Sequence, residues 1–324
     1  MAKIELYIYN NAQKKMYSPI LKDKITWTTE RKGVAGKLTF TVVKDSKIDF
    51  SEGDAVTFKY DGKNIFYGFV FSKSRDKEHH ISVVAYDQLR YLKNKHTYVY
   101  ENKTANEVVS MIASDFLLKT GELEDTKHKI ATRIEDNATL FDIIQNALNE
   151  TLLNSGKMFV LYDDFGKLAL KNIESMLIPN DFIISDNTAQ NFSYKTSIDN
   201  QTYNRIQLYT DDKETNKREF SVAQDAETIK KWGILQLTEK LNNNENGKSK
   251  AETILKLYNL PQRTLTVNDV FGDVRARAGS SVLTTLNLGD IILNGYMLVE
   301  KAQHDFENGA YTMSLDLKRS DFNS

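Results

Sequence analysis

Val83-Val84-Ala85-Tyr86-Asp87-Gln88-Leu89-Arg90-Tyr91-Leu92 carries two periods in ten residues. Its first half alternates side chains as a strand does. Its second half sets Leu89 and Leu92 three apart, as a short helical turn does. The run divides the chain. The residues before it read as β, and those after a strand-like Tyr98-Val99-Tyr100 read as helix.

Residues 1–95 alternate with period two at Ile4, Leu6 and Ile8, at Ile25 and Trp27, and at Leu38, Phe40 and Val42. The same holds at Val56, Phe58 and Tyr60, over residues 65–71 and over residues 81–85. Such runs predict half-buried antiparallel strands. Asp61-Gly62 signals a hairpin, because Gly takes a positive φ at little cost. Arg75-Asp76-Lys77-Glu78 reads as a charged loop of the same kind. About six strands at this spacing predict a small barrel or sandwich.

Residues 103–153 read as α. Thr104-x-x-Glu107 is a capping box, followed by Val108, Met111, Ile112 and Phe116 near one face, with Gly121 as the expected stop. Thr139 caps a second helix whose stripe is Leu140, Ile143, Ile144, Ala147, Leu148 and Thr151. Asn154-Ser155-Gly156 ends it. A hairpin follows, from Met158-Phe159-Val160-Leu161-Tyr162 through a turn at Asp163 to Gly166 into Leu168-Ala169-Leu170. Strand signals return at Phe182-Ile183-Ile184 and Asn204-Arg205-Ile206-Gln207-Leu208-Tyr209. Helices are expected over 225–241 and 249–260, joined by the loop 242–247 and closed by Pro261. From Thr264 to Leu317 the pattern is β again.

The last β part aligns with the first. Leu38-x-Phe40 stands 15 residues before Gly53-Asp54, and Val274-x-Ala276 stands 15 before Gly289-Asp290. Gly68-Phe69-Val70-Phe71 matches Gly295-Tyr296-Met297-Leu298-Val299. Val70 lies 14 residues before Val84, and Val299 lies 14 before Met313, with His79 and His304 in the charged stretches between. A duplication of this kind gives one α+β chain carrying two small antiparallel β-barrels with helical and α/β insertions between them.

The 324 residues bring a length prior of about two domains and room for a core that needs no disulfide or metal. The chain has no Cys, which excludes disulfides, thiol nucleophiles and thiolate metal sites. The formal net charge is −1, so bulk charge makes no case for nucleic acid or anionic membrane. No leader-like apolar run is expected at the start, and no stretch approaches 18 apolar residues.

The candidate chemical motifs each have a plainer reading. Asp164-Phe165-Gly166 spells a kinase metal-binding tripeptide, but the other kinase motifs are missing, so a hairpin turn is the better reading. His79-His80 would point to opposite faces of a strand. His96, His128 and His304 have no ligand spacing. Gly272-Asp273-Val274-Arg275-Ala276-Arg277-Ala278-Gly279 alternates like a strand with two exposed arginines. The Asn102, Asn137, Asn149 and Asn191 sequons are read as incidental. No carboxylate pair stands out for glycoside hydrolysis. The expectation is no catalytic, metal or cofactor residue and no enzyme.

The run from Val84 to Lys95 resembles the XkdQ family, as do Thr104-Ala105-Asn106-Glu107-Val108-Val109, Ile112-Ala113 and Asp115-Phe116. So do Thr139-Leu140-x-Asp142-Ile143-Ile144-x-x-Ala147-Leu148, the 272–279 stretch, and the close, Met297-Leu298-Val299-Glu300-Lys301-Ala302-x-His304-x-Phe306 with Tyr311-x-Met313-x-Leu315. The likeness runs from about Ile25 to Leu317. This family and its late-control D-like relatives supply baseplate hubs of contractile phage tails, defective prophages and phage-tail-like bacteriocins.

The resemblance implies a homotrimer with two tube-like barrels per chain, in which three chains make a ring of six that matches a sixfold tail tube and seats a threefold spike. Implied partners are the tail tube protein, the central spike protein and other baseplate proteins, a LysM-type protein and the tape measure among them. Assembly in the bacterial cytoplasm and release on lysis follow. Some members carry a cell-wall hydrolase label, so a tail-associated peptidoglycan hydrolase is the alternative, and a carbohydrate-binding β module is a third reading. The domains expected are a first barrel at 1–97, a helical insertion with hairpin at 98–175, a second barrel at 176–222 and 262–324, and a helix-loop-helix insertion at 223–261. The charged tips Asp61-Gly62-Lys63, residues 75–80 and residues 211–218 are candidate contacts to neighbouring ring proteins.

Overall fold

A computed structural model describes residues 2–189, 191–212, 217–241, 246–289, 291–307 and 309–319. The front of the chain forms β1 (Ile4–Asn10), β2 (Lys15–Tyr17), β3 (Ile25–Glu30), β4 (Lys37–Val43), β5 (Ala55–Tyr60), β6 (Lys63–Arg75) and β7 (His80–Tyr86). A 3-10 turn, Gln88–Lys93, follows β7, so the divided stretch changes period at Asp87. The Asp87 carboxylate starts that turn by accepting the Leu89 N–H.

The middle holds β8 (Lys95–Tyr100), β9 (Lys103–Thr104), α1 (Ala105–Asp115), β10 (Thr120–Leu123), β11 (Lys129–Ile130), β12 (Arg133–Thr139), α2 (Leu140–Ser155), β13 (Phe159–Asp163) and β14 (Leu168–Asn172). Then come β15 (Ile183–Ser185), β16 (Asn191–Ser197), β17 (Arg205–Asp212), β18 (Lys217–Gln224), α3 (Ala226–Trp232), β19 (Gln236–Lys240), α4 (Gly247–Tyr258), β20 (Gln262–Phe271), β21 (Ser281–Asn287), β22 (Ile292–Glu307) and β23 (Ala310–Arg319).

Thirteen of these strands form one sheet, in the order β16-β20-β23-β22-β3-β4-β7-β6-β5-β1-β2, with β21 on β22 and β15 on β21. The fold is mainly β with two helical regions, as an α+β reading requires. Two separate closed barrels are not what the strands make. No pairing among the described strands closes either half on itself, and the halves share one sheet. The reason is β22. Over Ile292 to Leu298 its edge pairs with β21, and from Lys301 to Phe306 the same edge pairs with β3. The neighbour changes at an irregularity between Val299 and Lys301.

The internal repeat is present in the strand order. β3-β4-β7-β6-β5 and β16-β20-β23-β22-β21 run the same course. Val70 and Val299 are equivalent. Each precedes a bulge, and each is held by the same backbone pair. Gly53 N donates to Val70 O and Val70 N to Asp54 O, as Gly279 N donates to Val299 O and Val299 N to Ser280 O. The glycine anchor of the second copy is therefore Gly279, with φ near +94°, and Gly289 instead sits beyond β21. Asp290 lies outside the described residues. Val84 and Met313 also shift. The partner of Val70 is Ala85, and the partner of Val299 is Leu317, because the second hairpin is longer.

Each half has its own core. Leu6, Ile8, Trp27, Leu38, Phe58 and Phe306 fill the first, with β1 and β3 lining the same cluster. Leu265, Val267, Val282, Val299, Ala302 and Leu315 fill the second. The α1 and α2 stripes pack on Leu89, Leu92, Tyr98, Tyr100, Leu168 and Leu170. A fourth cluster joins Ile206, Leu208 and Ala223 of β17 and β18 to Ala251 and Ile254 of α4.

Helix ends differ from expectation at two places. α1 stops at Asp115, well before Gly121, because Leu118 N reaches Ala113 O and Leu117 N reaches Ser114 O. That is a Schellman closure with Leu117 in the left-handed position, at φ near +54°. The helix expected over 225–241 ends at Trp232. Buried Asn204 accepts the Leu235 N–H and donates to Gly233 O, which turns the chain and lays β19 parallel to β17. Gly156 ends α2 in the left-handed region, as expected. Residues 242–245 of the expected loop lie outside the described residues.

These contacts order the stability effects. Ile143 is fully buried in the helical core, so Ile143→Ala is expected to lower the unfolding free energy by about 2–5 kcal/mol. Leu117 is 91% exposed with a positive φ, so Leu117→Gly is expected to raise it by roughly 0.5–1 kcal/mol. Urea denaturation of the two variants checks both signs.

Candidate functional site

A buried polar cluster lies where the two sheet halves and the β13–β14 hairpin meet. Residues 272–279 were expected to form a strand with two exposed arginines. They form a loop instead, held by Gly272 N to Tyr311 O and by the paired bonds to Val299. Arg275 is on the surface, tied to Asp273 and Asp181. Arg277 turns inward and is partly buried. Its Nη2 donates to Asp163 O at 3.0 Å, and its guanidinium lies 4.1 Å from the Tyr162 ring centroid and 5.9 Å from that of Trp27. Ala278 N donates to Thr29 Oγ1 of β3. The loop therefore touches all three parts. Gly279 must lack a side chain, since a Cβ there would come within 2.6 Å of Val160.

Two carboxyls, Asp87 and Asp163, feel the charge of this one guanidinium. Asp87 accepts Gly36 N–H at 2.9 Å and Leu89 N–H at 3.0 Å. Asp163 accepts Gly166 N–H at 2.7 Å, while its Oδ2 has no hydrogen-bond partner. One cation cannot neutralise two buried carboxylates. Burial, and then the charge of Asp163, push Asp87 well above the usual carboxylate range. Burial raises Asp163 to about 6, against the pull of the Gly166 N–H and Arg277. This chemistry holds a loop in place.

The hairpin turn and the other histidines are also tied into the fold. Asp163 to Gly166 is the β13–β14 turn, with Phe165 and Gly166 both at positive φ. His304 is buried, stacked on Trp27 at 4.9 Å. Its Nε2 must donate to Ala276 O, so Nδ1 accepts the Tyr311 hydroxyl. Burial lowers it to about 4, so it is a neutral core histidine at pH 7. His96 stacks on Tyr98, and His128 lies 3.8 Å from Glu150.

His80 does gather two carboxylates. Asp76, Glu78 and His80 put ligand-type atoms within 4.8 Å of one another at the β6–β7 tip. Lys22 Nζ lies 3.3 Å from His80 Nδ1 and 3.9 Å from Glu78, so an ammonium already supplies the cation there. His79 turns away at φ near +64°. Of the 211–218 tip, residues 213–216 lie outside the described residues; Arg218 pairs with Asp211 and covers Tyr209. Asp61 and Gly62 form the β5–β6 turn at positive φ. Sequence reasoning missed Arg277 and Asp87 because an inward arginine in a loop has the same alternation as an outward one on a strand.

Asp163 makes the site testable by pH. Its carboxyl holds a proton in the fold up to about 6, whereas an unfolded Asp releases it near 3.9. A raised value of this kind stabilises the fold at low pH, and that contribution is lost as pH rises through about 6. The advantage of Asp163→Asn over the parent protein in urea denaturation is expected to grow by roughly 1–3 kcal/mol between about pH 4 and about pH 7.5. A difference independent of pH overturns the assignment.

Comparison with known proteins agrees with this architecture. The YQBQ-like family model matches residues 25–318. The phage-like element PBSX protein XkdQ of Bacillus subtilis (strain 168) is 31% identical over 274 residues, covering 82% of both chains. The fold is similar to the prophage MuSo2 43 kDa tail protein of Shewanella oneidensis, with TM-score 0.72, 14% identity and coverage of 99% of this chain and 100% of that one. It is similar also to prophage tail protein gp18 of Listeria monocytogenes EGD-e, with TM-score 0.64, 13% identity and coverage of 99% and 95%. With the family model spanning residues 25–318, the chain belongs to the YQBQ-like family and is XkdQ-like over most of its length.

Proposed function

We propose that the chain is a structural component of a phage-type tail baseplate, a ring-forming hub that joins a sixfold tail tube to a threefold central spike. The observation that carries this reading is the repeated strand order, two five-stranded units in one chain joined by β22 and β3. Three such chains present six similar units to a tube while the inserted parts repeat only three times. Each unit is taken as an open, barrel-like piece of the ring, its sheet curled so that β1 and β3 share one core. The names of XkdQ and of the Shewanella and Listeria tail proteins support the tail setting.

In this reading the chain divides into a first tube-like unit at 1–97, a helical insertion at 98–175, and a second unit. We place β17 and β18 in the second insertion with β19 and α4, beyond the expected 223–261, because these four elements share a core. Partners are two further copies, the tube protein, the spike protein and neighbouring baseplate proteins such as a LysM-type protein and the tape measure. Assembly takes place in the bacterial cytoplasm, with release on lysis. The role is mechanical. The raised carboxyls Asp87 and Asp163 are buried beneath the 272–280 loop and serve the fold.

Light scattering of the full chain is expected to give about three times the 37.1 kDa chain mass at raised concentration. A chain that stays monomeric and digests purified peptidoglycan, with activity lost on changing one carboxylate, overturns the hub in favour of the hydrolase.

A further inference from the structure

The repeat places two strand edges in equivalent positions, one of them filled and one bare. In the second unit, the edge of β22 past Val299 is filled by β3 of the first unit. The register is Lys301 opposite Glu30, Ala302 opposite Thr29, Gln303 opposite Thr28 and His304 opposite Trp27. The backbone of Arg31 continues the joint with a bond to Glu300 O at 2.9 Å. In the first unit, the corresponding edge of β6 past Val70 pairs with nothing among the described residues. Ser72, Lys73, Ser74 and Arg75 are all exposed. The strand that would fill it by symmetry, the counterpart of β3, is β16. It is the terminal strand of the sheet, with one edge on β20 and the other unpaired among the described residues.

The equivalence can be carried residue by residue. Val70 pairs with Ala85, Ala85 with Leu38 and Leu38 with Trp27. Val299 pairs with Leu317, Leu317 with Leu265 and Leu265 with Tyr194. Tyr194 therefore occupies the place of Trp27, and Arg75 the place of His304. Within the chain, Trp27 and His304 stack. Tyr194 has a buried hydroxyl with no partner among the described residues, and the place opposite it belongs to Arg75, whose guanidinium suits a tyrosine face. Phe192 takes the place of Ile25. Ile25 is 1% exposed and Phe192 is 40% exposed, as expected of a position whose cover is another molecule.

We infer that the open edge of β6 receives β16 of a second copy, in the antiparallel register Ser72–Ser197, Lys73–Thr196, Ser74–Lys195 and Arg75–Tyr194. The inference rests on the ring reading above and supplies its joint. The contact is heterologous, since each copy offers β6 on one side and β16 on the other. The same joint is then used alternately within a chain, as β22 on β3, and between chains. A ring closed this way leaves neither edge open to pair with unrelated strands.

Cysteine pairs test the register, because the chain has no Cys of its own. Directly opposed cross-strand Cβ atoms lie about 4.5–5.5 Å apart, nearer in non-hydrogen-bonded pairs, and disulfides need about 3.5–4.5 Å. Ser74→Cys/Lys195→Cys and Lys73→Cys/Thr196→Cys are adjacent, so one of the two is the closer type. Under mild oxidation at least one is expected to give linked dimers and trimers on a non-reducing gel. Ser74→Cys/Ser193→Cys, two residues out of register, is expected to stay unlinked. Thr28→Cys/Gln303→Cys reports the same joint within one chain and serves as the positive control. Light scattering on the same samples separates the two ideas. A trimer whose in-register pairs do not link overturns the strand joint and leaves the ring. A monomer that never links overturns both.

Discussion

The structure depends on one strand being long enough to serve two neighbours. β22 has 16 residues, and its edge passes from β21 to β3 at Glu300. A strand of ordinary length would pair with β21 alone and leave the two halves as separate sheets. Here the halves share backbone hydrogen bonds, and Phe306 at the far end of β22 packs into the core of the first half against Phe58 and Tyr60. The Arg31–Glu300 pair, bidentate at 2.7 and 2.9 Å, marks the changeover. The angle between the halves is thus built into the ladder.

The 272–280 loop is the second constraint, and it acts through desolvation. Arg277 lies among Trp27, Tyr162 and the Asp163 carbonyl, with two carboxyls nearby and its Nε unpartnered. Burying such a group is costly, and removing one partner of a buried pair costs about 3–5 kcal/mol. The arrangement adds specificity of position. A bond such as Arg277 Nη2 to Asp163 O forms in only one geometry, so it penalises small slips of the hairpin against the sheets more sharply than an apolar contact does.

An unpaired strand edge is a ready template for pairing with another chain. The bare edges here carry Ser72, Lys73, Ser74 and Arg75 on one side and Lys195 and Thr196 on the other, all exposed and polar or charged. Such residues keep a lone chain from pairing indiscriminately. Of the four equivalent internal positions, Ala302 and His304 are buried and neutral, while Lys301 and Gln303 are partly exposed.

Much of this was legible in the order of residues. Alternation at Leu38, Phe40 and Val42 sets a strand with one buried face, because period two allows nothing else. Thr104 with Glu107, and Thr139 with Gly156, set helix ends, because caps are local chemistry. The change of period at Asp87 also follows from neighbours a few residues apart. What only the tertiary structure decided are events between distant residues. Asn204 stops a helix 29 residues away, at Gly233. Residues 272–279 become a loop because Arg277 finds aromatic rings and a carbonyl inside, although its alternation fits a strand equally well. The repeat was visible at Val70 and Val299 but misplaced at its glycines, since equivalence lies in which backbone groups bond and not in spacing. Two barrels were expected where one continuous sheet formed, because the partner of a strand edge is chosen by three-dimensional reach, and sequence period carries no record of which edge is met.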